Sequence, residues 1–255
     1  MIVDVHTHTP SHRDAVPEAE VQWNHVSRPD RAVRVTNTYA DYLKAMEPVD
    51  RCIVFGIAPA PGEKEAVPGL LVQHGNVNDL AAAAVKAAPQ KIIGFMSVHP
   101  DDPKCLDEVD RSVHDLKLRG IKLGPNYQNF DPLGRNARRL FARAQKLGLP
   151  IMFHQGTSGV RFAPIRYAHP LLMDEVAMAF PDLHIVMAHM GHPWTMDTIV
   201  VVRKHPNVYA DISALFYRPW VCYNAFRYAY EWKVTDKLLL GSAWPVTAPM
   251  ENISA

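Results

Sequence analysis

The chain predicts a parallel α/β fold closed into one (β/α)₈ barrel. Three observations carry this. Its 255 residues match the roughly 250 of a single such barrel. Eight short, near-continuously apolar runs recur along it, as parallel strands covered by helices should. Seven segments with helical spacing lie between the runs, and that alternation marks a parallel sheet. An open, doubly wound sheet is the runner-up. It would more often carry a glycine-rich phosphate loop after its first strand, and none is present.

In order, the first run covers residues 2–6 and is followed by a long polar segment, 10–35. Residues 38–46 then place Tyr39, Tyr42, Leu43 and Met46 at helical spacing. The second run is 52–57, followed by the alanine-rich helix 78–88, which stops at Pro89. The third, 92–98, leads to 106–118, apolar at Leu106, Val109, Val113 and Leu116. The fourth, 120–123, precedes helix 136–147, with Gly148 as a C-terminal cap. The fifth run, 150–154, is followed by an irregular stretch, 162–169, and helix 169–180. The sixth, 184–189, is followed by helix 196–204. Pro181 and Pro206 end these two helices. Run 208–212, helix 223–232 and run 238–241 complete the series. Residues 251–255 read as the first turn of a truncated C-terminal helix. The long segments after the first and fifth strands distort an otherwise regular TIM barrel. Both lie at its C-terminal face, where barrel enzymes build their sites, so both are candidate lids or substrate walls. No internal repeat beyond the βα unit and no linker is visible, so residues 1–255 form one domain.

Composition narrows the function classes. Hydrophobic residues make up 48% and charged ones 21%, ordinary values for a globular protein with a sizeable core. The net charge of +1 and the lack of single-sign runs argue against nucleic acid or an anionic membrane as partner. No apolar stretch approaches the ~18 residues of a membrane span. The opening MIVDVHTH is a strand pattern without a basic n-region, not a signal peptide. Cys52, Cys105 and Cys222 are odd in number and widely spaced, neither a disulfide framework nor a metal site. Reduced thiols in a cytoplasmic protein are the expectation.

The chemistry sits at strand ends. Strict alternation along the first strand turns Val3, Val5 and Thr7 toward the helices and Asp4, His6 and His8 into the barrel. Two imidazoles two residues apart at a strand's C-terminal end can grip one divalent cation. His154 closes the fifth strand and His189 the sixth. Lys122 lies amid apolar residues near the end of the fourth, and Asp211 near the end of the seventh. One such residue is ordinarily a hydrogen-bonded core group. Five strands ending this way at one barrel mouth point to a site.

The pieces VDVHTH, GIKLGP, PIMFHQG, IVMAHMGHPW, NVYADIS and LLLGSAWP, in this order, resemble the amidohydrolase superfamily. The likeness is greatest to the amidohydrolase-related, or amidohydrolase 2, branch of metal-dependent hydrolases, lactonases and decarboxylases. The resemblance implies His6, His8 and His154 as metal ligands and His189 as the group that polarises the substrate. His192 would be a substrate or supporting group. Lys122 matches a lysine that bridges two metals in some relatives, but one divalent metal, Zn²⁺ first, is the expectation here. The family pattern places aspartate where this chain has Ala243, in Gly241-Ser242-Ala243-Trp244-Pro245. That aspartate would bind metal and take the proton from water, and alanine does neither. Every other site residue is intact, which favours an engineered alanine over natural loss. Asp211 is badly placed as a substitute and reads as structural.

The implied chemistry is hydrolysis of a small carboxylated ester, lactone or amide by metal-activated water, impaired by Ala243. Non-oxidative decarboxylation of an aromatic or unsaturated acid is one alternative, and an inactive or engineered ligand-binding scaffold another. Arg161 and Arg166, after the fifth strand, are candidate clamps for a substrate carboxylate. Tyr217, Trp194, Trp220 and Trp244 are candidates for an aromatic slot, Trp244 as a substrate contact. The expected partner is a small-molecule substrate. A homodimer is possible by analogy with other barrels.

Overall fold

A computed structural model describes residues 1–64, 66 and 74–254. All eight predicted runs contain a strand: β1 (Val3–His8), β4 (Arg51–Phe55), β5 (Ile92–Gly94), β6 (Ile121–Leu123), β7 (Ile151–Phe153), β8 (Ile185–Met187), β9 (Val208–Asp211) and β10 (Leu238–Leu239). All pairings among them are parallel, in the orders β1-β4-β5 and β10-β9-β8-β7-β6. Backbone hydrogen bonds join the two sheets at both seams. Met96 N–H donates to Gly120 O (2.8 Å) and Lys122 N–H to Met96 O (2.7 Å). At the other seam Val5 N–H donates to Leu240 O (2.8 Å) and Ala243 N–H to His6 O (2.7 Å).

Side-chain alternation divides the apolar residues into two sets. Cys52, Val54, Ile121, Leu123, Ile151, Phe153, Ile185 and Met187 face the helices and belong to the main core. Phe55, Phe95 and Met152, with Val5, Ile53, Ile93 and Val186 against them, fill the barrel interior. β1 departs from the strict alternation expected of it. Its register against β4 shifts between Asp4 and Thr7, a β-bulge that places one extra residue in β1. Val5 therefore joins the interior cluster rather than facing the helices. Asp4 pairs with the outward-facing Cys52 and does not point into the mouth. Beyond the bulge, Thr7 meets Tyr42 of α1 (Oγ1 to Oη, 2.8 Å), and His6 and His8 open on the mouth as expected.

The helices are α1 (Tyr39–Ala45), α2 (Val77–Ala87), α3 (Cys105–His114), α4 (Arg135–Leu147), α5 (Leu172–Ala179), α6 (Thr195–Lys204), α7 (Pro219–Glu231) and α8 (Pro249–Ile253). Their ends follow local chemistry. Thr38 and Asp41 form a capping box on α1, Asn76 caps α2, and Gly148 ends α4 at φ 65°. α7 begins a turn earlier than its apolar spacing suggests, because Pro219 is compatible with the first helical position. Within the segment after β1, β2 (Trp23–Asn24) and β3 (Val33–Arg34) form a small antiparallel pair that the sequence did not signal. Glu251 of α8 reaches back to that segment, bonding Arg28 (2.9 Å) and Arg31 (2.7 Å). No helix among the described residues is long and apolar enough to cross a membrane.

Candidate active site

One pocket opens at the C-terminal mouth of the barrel, with a cavity volume of about 120 Å³. Its floor carries His6, His8, Lys122, His154 and His189. The imidazoles form a connected group. His6 lies 5.4 Å from His8 and 4.8 Å from His189, ring centre to ring centre, and His189 lies 5.0 Å from His154. His189, expected beside the metal rather than on it, is the ring through which His154 joins the other two.

Asp211 orients this group. Its Oδ2 lies 2.8 Å from His6 Nδ1, and its Oδ1 accepts the backbone N–H groups of His189 and Ser213 (both 3.0 Å) and the Ser213 hydroxyl. Burial alone would raise the Asp211 carboxyl; His6 and these donors hold it far below the usual carboxylate range. An ionised carboxylate only accepts, so His6 carries its proton on Nδ1 and turns an unprotonated Nε2 outward. The Ser213 hydroxyl proton goes to Asp211, so His189 Nδ1, 2.8 Å from Ser213 Oγ, must donate to it. His189 thus also keeps a free Nε2. His154 Nε2 faces Thr157 O at 3.3 Å, which leaves its Nδ1 free. His6, His189 and Asp211 bring one donor atom each within 4.8 Å of one another, a cation-compatible grouping. Asp211 spends its oxygens on holding rings, so its part is to position the imidazoles.

Burial and mutual repulsion keep the imidazoles of the floor neutral. Burial lowers His6, His8 and His154, and the mutual repulsion of the basic groups adds to it. His189 falls to about 3, first from burial and then from His6. Burial also brings Lys122 down to about 7, with its Nζ 4.6 Å above the Phe55 ring. His8 Nδ1, Lys122 Nζ and both amide atoms of Gln155 are buried at the pocket without hydrogen-bond partners. Such groups are costly unless a ligand or ion meets them.

Ala243 lines the same pocket, with backbone φ of 56°. This left-handed conformation suits Asn, Asp and Gly and is unfavourable for alanine. The backbone at 243 is therefore shaped for a residue such as the expected aspartate.

Other expectations need correction. Arg161 and Arg166 are exposed and lie outside the pocket. Arg166 instead stacks on its neighbour Tyr167 at 4.5 Å. The pocket wall after β7 is made by Thr157, Ser158 and Gly159 rather than by 162–169. Trp244 is a core residue, edge-on to Tyr42 at 5.0 Å, because it alternates with Ala243 and Pro245, which face the pocket. Trp194 and Trp220 border a separate groove between α6 and α7. His192 and Tyr217 do line the pocket, as do Val26, Ser27 and Val35 from the long segment after β1. Besides Lys122 on the floor, the pocket wall carries Arg218, which sequence reasoning missed. It stacks on Tyr217 (4.5 Å) and donates to Ala214 O (2.6 Å). Its position just after a barrel strand was the available signal.

Gly156 fixes the loop beyond His154. At φ 90°, a Cβ there would stand 2.1 Å from His192 O and 2.8 Å from Gly191 C, both backbone atoms that cannot swing aside. Gly156→Ala is expected to cost about 2–4 kcal/mol. The denaturant midpoint checks it; an unchanged midpoint would mean the two loops do not meet this closely.

The family model described as amidohydrolase matches residues 3–254. The chain belongs to the amidohydrolase family. It is thus an enzyme of the amidohydrolase kind. No curated protein matches it by sequence. Among solved structures, an uncharacterised TIM-barrel protein from Bordetella bronchiseptica is similar at TM-score 0.72 and 20% identity, covering 99% of this chain and 90% of that one. A probable 2-pyrone-4,6-dicarboxylic acid hydrolase from Acinetobacter baumannii, with citric acid bound, aligns at TM-score 0.65 and 14% identity, over 99% and 90%. A 5-carboxyvanillate decarboxylase from Novosphingobium aromaticivorans, complexed with manganese and 4-hydroxy-3-methoxy-5-nitrobenzoic acid, aligns at TM-score 0.64 and 15% identity, over 99% and 89%. At these identities the likeness establishes the barrel fold for this amidohydrolase and leaves its substrate open.

Proposed function

We propose that this amidohydrolase is a metal-dependent hydrolase of a small carboxylated ester, lactone or amide, held at low turnover by Ala243. The observation that carries the reading is the floor of neutral imidazoles, with free nitrogens on His6, His154 and His189 and an unpartnered Nδ1 on His8. These residues offer imidazole nitrogens to a divalent cation, although among the described residues of the floor it is His6, His189 and Asp211, and not His8 or His154, that bring donor atoms within 4.8 Å of one another. His6, His8 and His154 would hold it, with His189 beside them, and an all-nitrogen set favours Zn²⁺ over the harder Mn²⁺. When bound, such an ion lowers the pKa of water and polarises a carbonyl.

The remaining chemistry belongs to the chain. Asp211 holds the tautomers of His6 and His189 so that free nitrogens face the pocket. His189 in this tautomer accepts rather than donates at Nε2, so it orients a water proton better than it stabilises an oxyanion. With its pKa at about 3 it is a poor base. Proton acceptance is therefore the function missing with alanine at 243. Arg218 supplies the cation that a substrate carboxylate needs, with a planar guanidinium suited to bidentate binding. His192 and Gln155 complete the polar wall. The volume of about 120 Å³ suits a single-ring ligand, since a cavity of about 150 Å³ accepts benzene in another protein.

Decarboxylation of an aromatic acid is the second reading. The ring-stacking and apolar walls from Ile57, Tyr127, Tyr217 and Val246 favour it. The Zn²⁺-loaded protein, assayed on panels of lactones, aryl esters and hydroxybenzoates, separates the two. Hydrolysis consumes water and releases acid, whereas decarboxylation releases CO₂ alone. We expect weak lactone or ester hydrolysis that a chelator abolishes. CO₂ release without hydrolysis would replace the first reading by the second.

A further inference from the structure

Outside the barrel mouth floor, a second histidine group lies unassigned. His12, Glu20 and His74 each bring one donor atom within 4.8 Å of the others. His12 Nε2 is 2.9 Å and His74 Nε2 3.2 Å from the same oxygen, Glu20 Oε2, and the two rings stand 5.3 Å apart. For a tetrahedral ion about 2.1 Å from nitrogen and oxygen ligands, ligand atoms are separated by little more than these distances.

His12 is held for this purpose. Its Nδ1 meets Ser11 Oγ at 2.9 Å. Ser11 Oγ in turn accepts Asn37 N–H (2.8 Å) and donates to Asn37 O (3.1 Å). Ser11 thus fixes the His12 ring from behind, and in either neutral tautomer His12 Nε2 is aimed at Glu20 Oε2, where His74 Nε2 also converges. The buried hydroxyl behind the histidine is the orienting arrangement that metal-bound histidines use. The Glu20 carboxyl is lowered by its bond to His12, so it is available as an anionic ligand.

We propose that His12, His74 and Glu20 form a second divalent-metal site, taking Zn²⁺, at the rim of the barrel. Two histidines and one glutamate are an accepted Zn²⁺ set with a position left for water. The site differs from the floor in composition and exposure. His12 is nearly buried, whereas His74 and Glu20 are about half exposed. Its ligands come from two segments: His12 and Glu20 from the loop after β1, and His74 from just before α2. The first of these also supplies Val26, Ser27 and Val35 to the active-site wall. The ion would clasp the wall segment to the neighbouring strand–helix connection and hold the pocket's side in place.

The test is Zn²⁺ stoichiometry of the full chain by equilibrium dialysis and plasma mass spectrometry, beside His74→Ala and Glu20→Gln. Both residues are exposed enough for the variants to fold, and Glu20→Gln keeps the shape of the carboxylate. We expect each variant to bind one equivalent less than the parent chain, or to bind its rim ion roughly tenfold or more weakly. Replacing Zn²⁺ by Co²⁺ should give a visible absorption band that both variants lose in part. Zn²⁺ should also raise the melting temperature of the parent chain more than that of either variant. Equal stoichiometry and an equal Zn²⁺-induced shift in all three proteins would overturn the proposal and leave a hydrogen-bonded histidine–carboxylate cluster only.

Discussion

Ala243→Asp should raise both the metal content and the turnover of this amidohydrolase, the latter by roughly 10²–10⁴-fold, the range ascribed to a positioned acid–base group. Residue 243 lines the pocket beside the imidazole floor, so a carboxylate there reaches the same space. It would add an anionic oxygen to a site that is otherwise nitrogen-only. It would also supply the proton acceptor that His189, depressed to about 3, cannot be. The backbone favours the change, since φ at 243 is 56° and aspartate tolerates this region better than alanine. The variant should therefore fold at least as stably as the parent. Metal analysis and initial rates on lactone and aryl-ester panels measure the effect. Unchanged metal content together with unchanged rates would show that residue 243 has no part in the chemistry.

Lys122→Met should stabilise the metal-free protein by up to about 4 kcal/mol at pH 7. Lys122 is fully buried, has no hydrogen-bond partner for Nζ, and titrates at about 7 rather than 10.5. Each pKa unit is worth about 1.4 kcal/mol, so the displaced value measures the penalty of burying the ammonium. Methionine fills nearly the same space without it. The sign of the pH dependence follows. Between about 7 and 10.5 the unfolded chain binds one more proton at this lysine than the folded chain, so the parent's stability rises with pH across that window. The variant should lose this slope. The lowered histidines act in the same direction at lower pH. As pH falls below their unfolded value of 6.5 the unfolded chain takes up protons that folded His6, His8, His154 and His189 refuse, and stability falls. Denaturant titrations from pH 5 to 9 check both. A less stable Lys122→Met variant would mean that the ammonium is better accommodated than its surroundings indicate. A stabilised variant with impaired chemistry would show stability sacrificed for function at the mouth of the barrel.

The barrel itself was legible because continuous Val, Ile and Phe runs mark strands buried on both faces, and because Pro89, Gly148, Pro181 and Pro206 mark helix ends. The histidines were legible because strand-end position implies the mouth. What the sequence hid was non-local or irregular. The bulge between Asp4 and Thr7 breaks a simple alternation rule, so Val5 and Asp4 were assigned to the wrong faces. The bond from Asp211 to His6 joins residues far apart in the chain and gives the carboxylate an orienting part that strand position does not reveal. Arg161 and Arg166 were nearer His154 in sequence than Arg218, yet only Arg218 lines the pocket. Sequence distance is a poor guide where eight loops converge. The pair β2–β3, two residues per strand, is too short to produce a period.

The central claim is that imidazoles from β1 and from just beyond β7 share one cation, with the imidazole of the turn after β8 beside it. A crystal of the parent chain soaked in Zn²⁺, with anomalous differences recorded at the zinc absorption edge, tests it directly. The account predicts an anomalous peak within bonding distance, about 2.1 Å, of nitrogens of His6, His8 and His154. A peak confined to His12, Glu20 and His74, with none among the floor histidines, would contradict it.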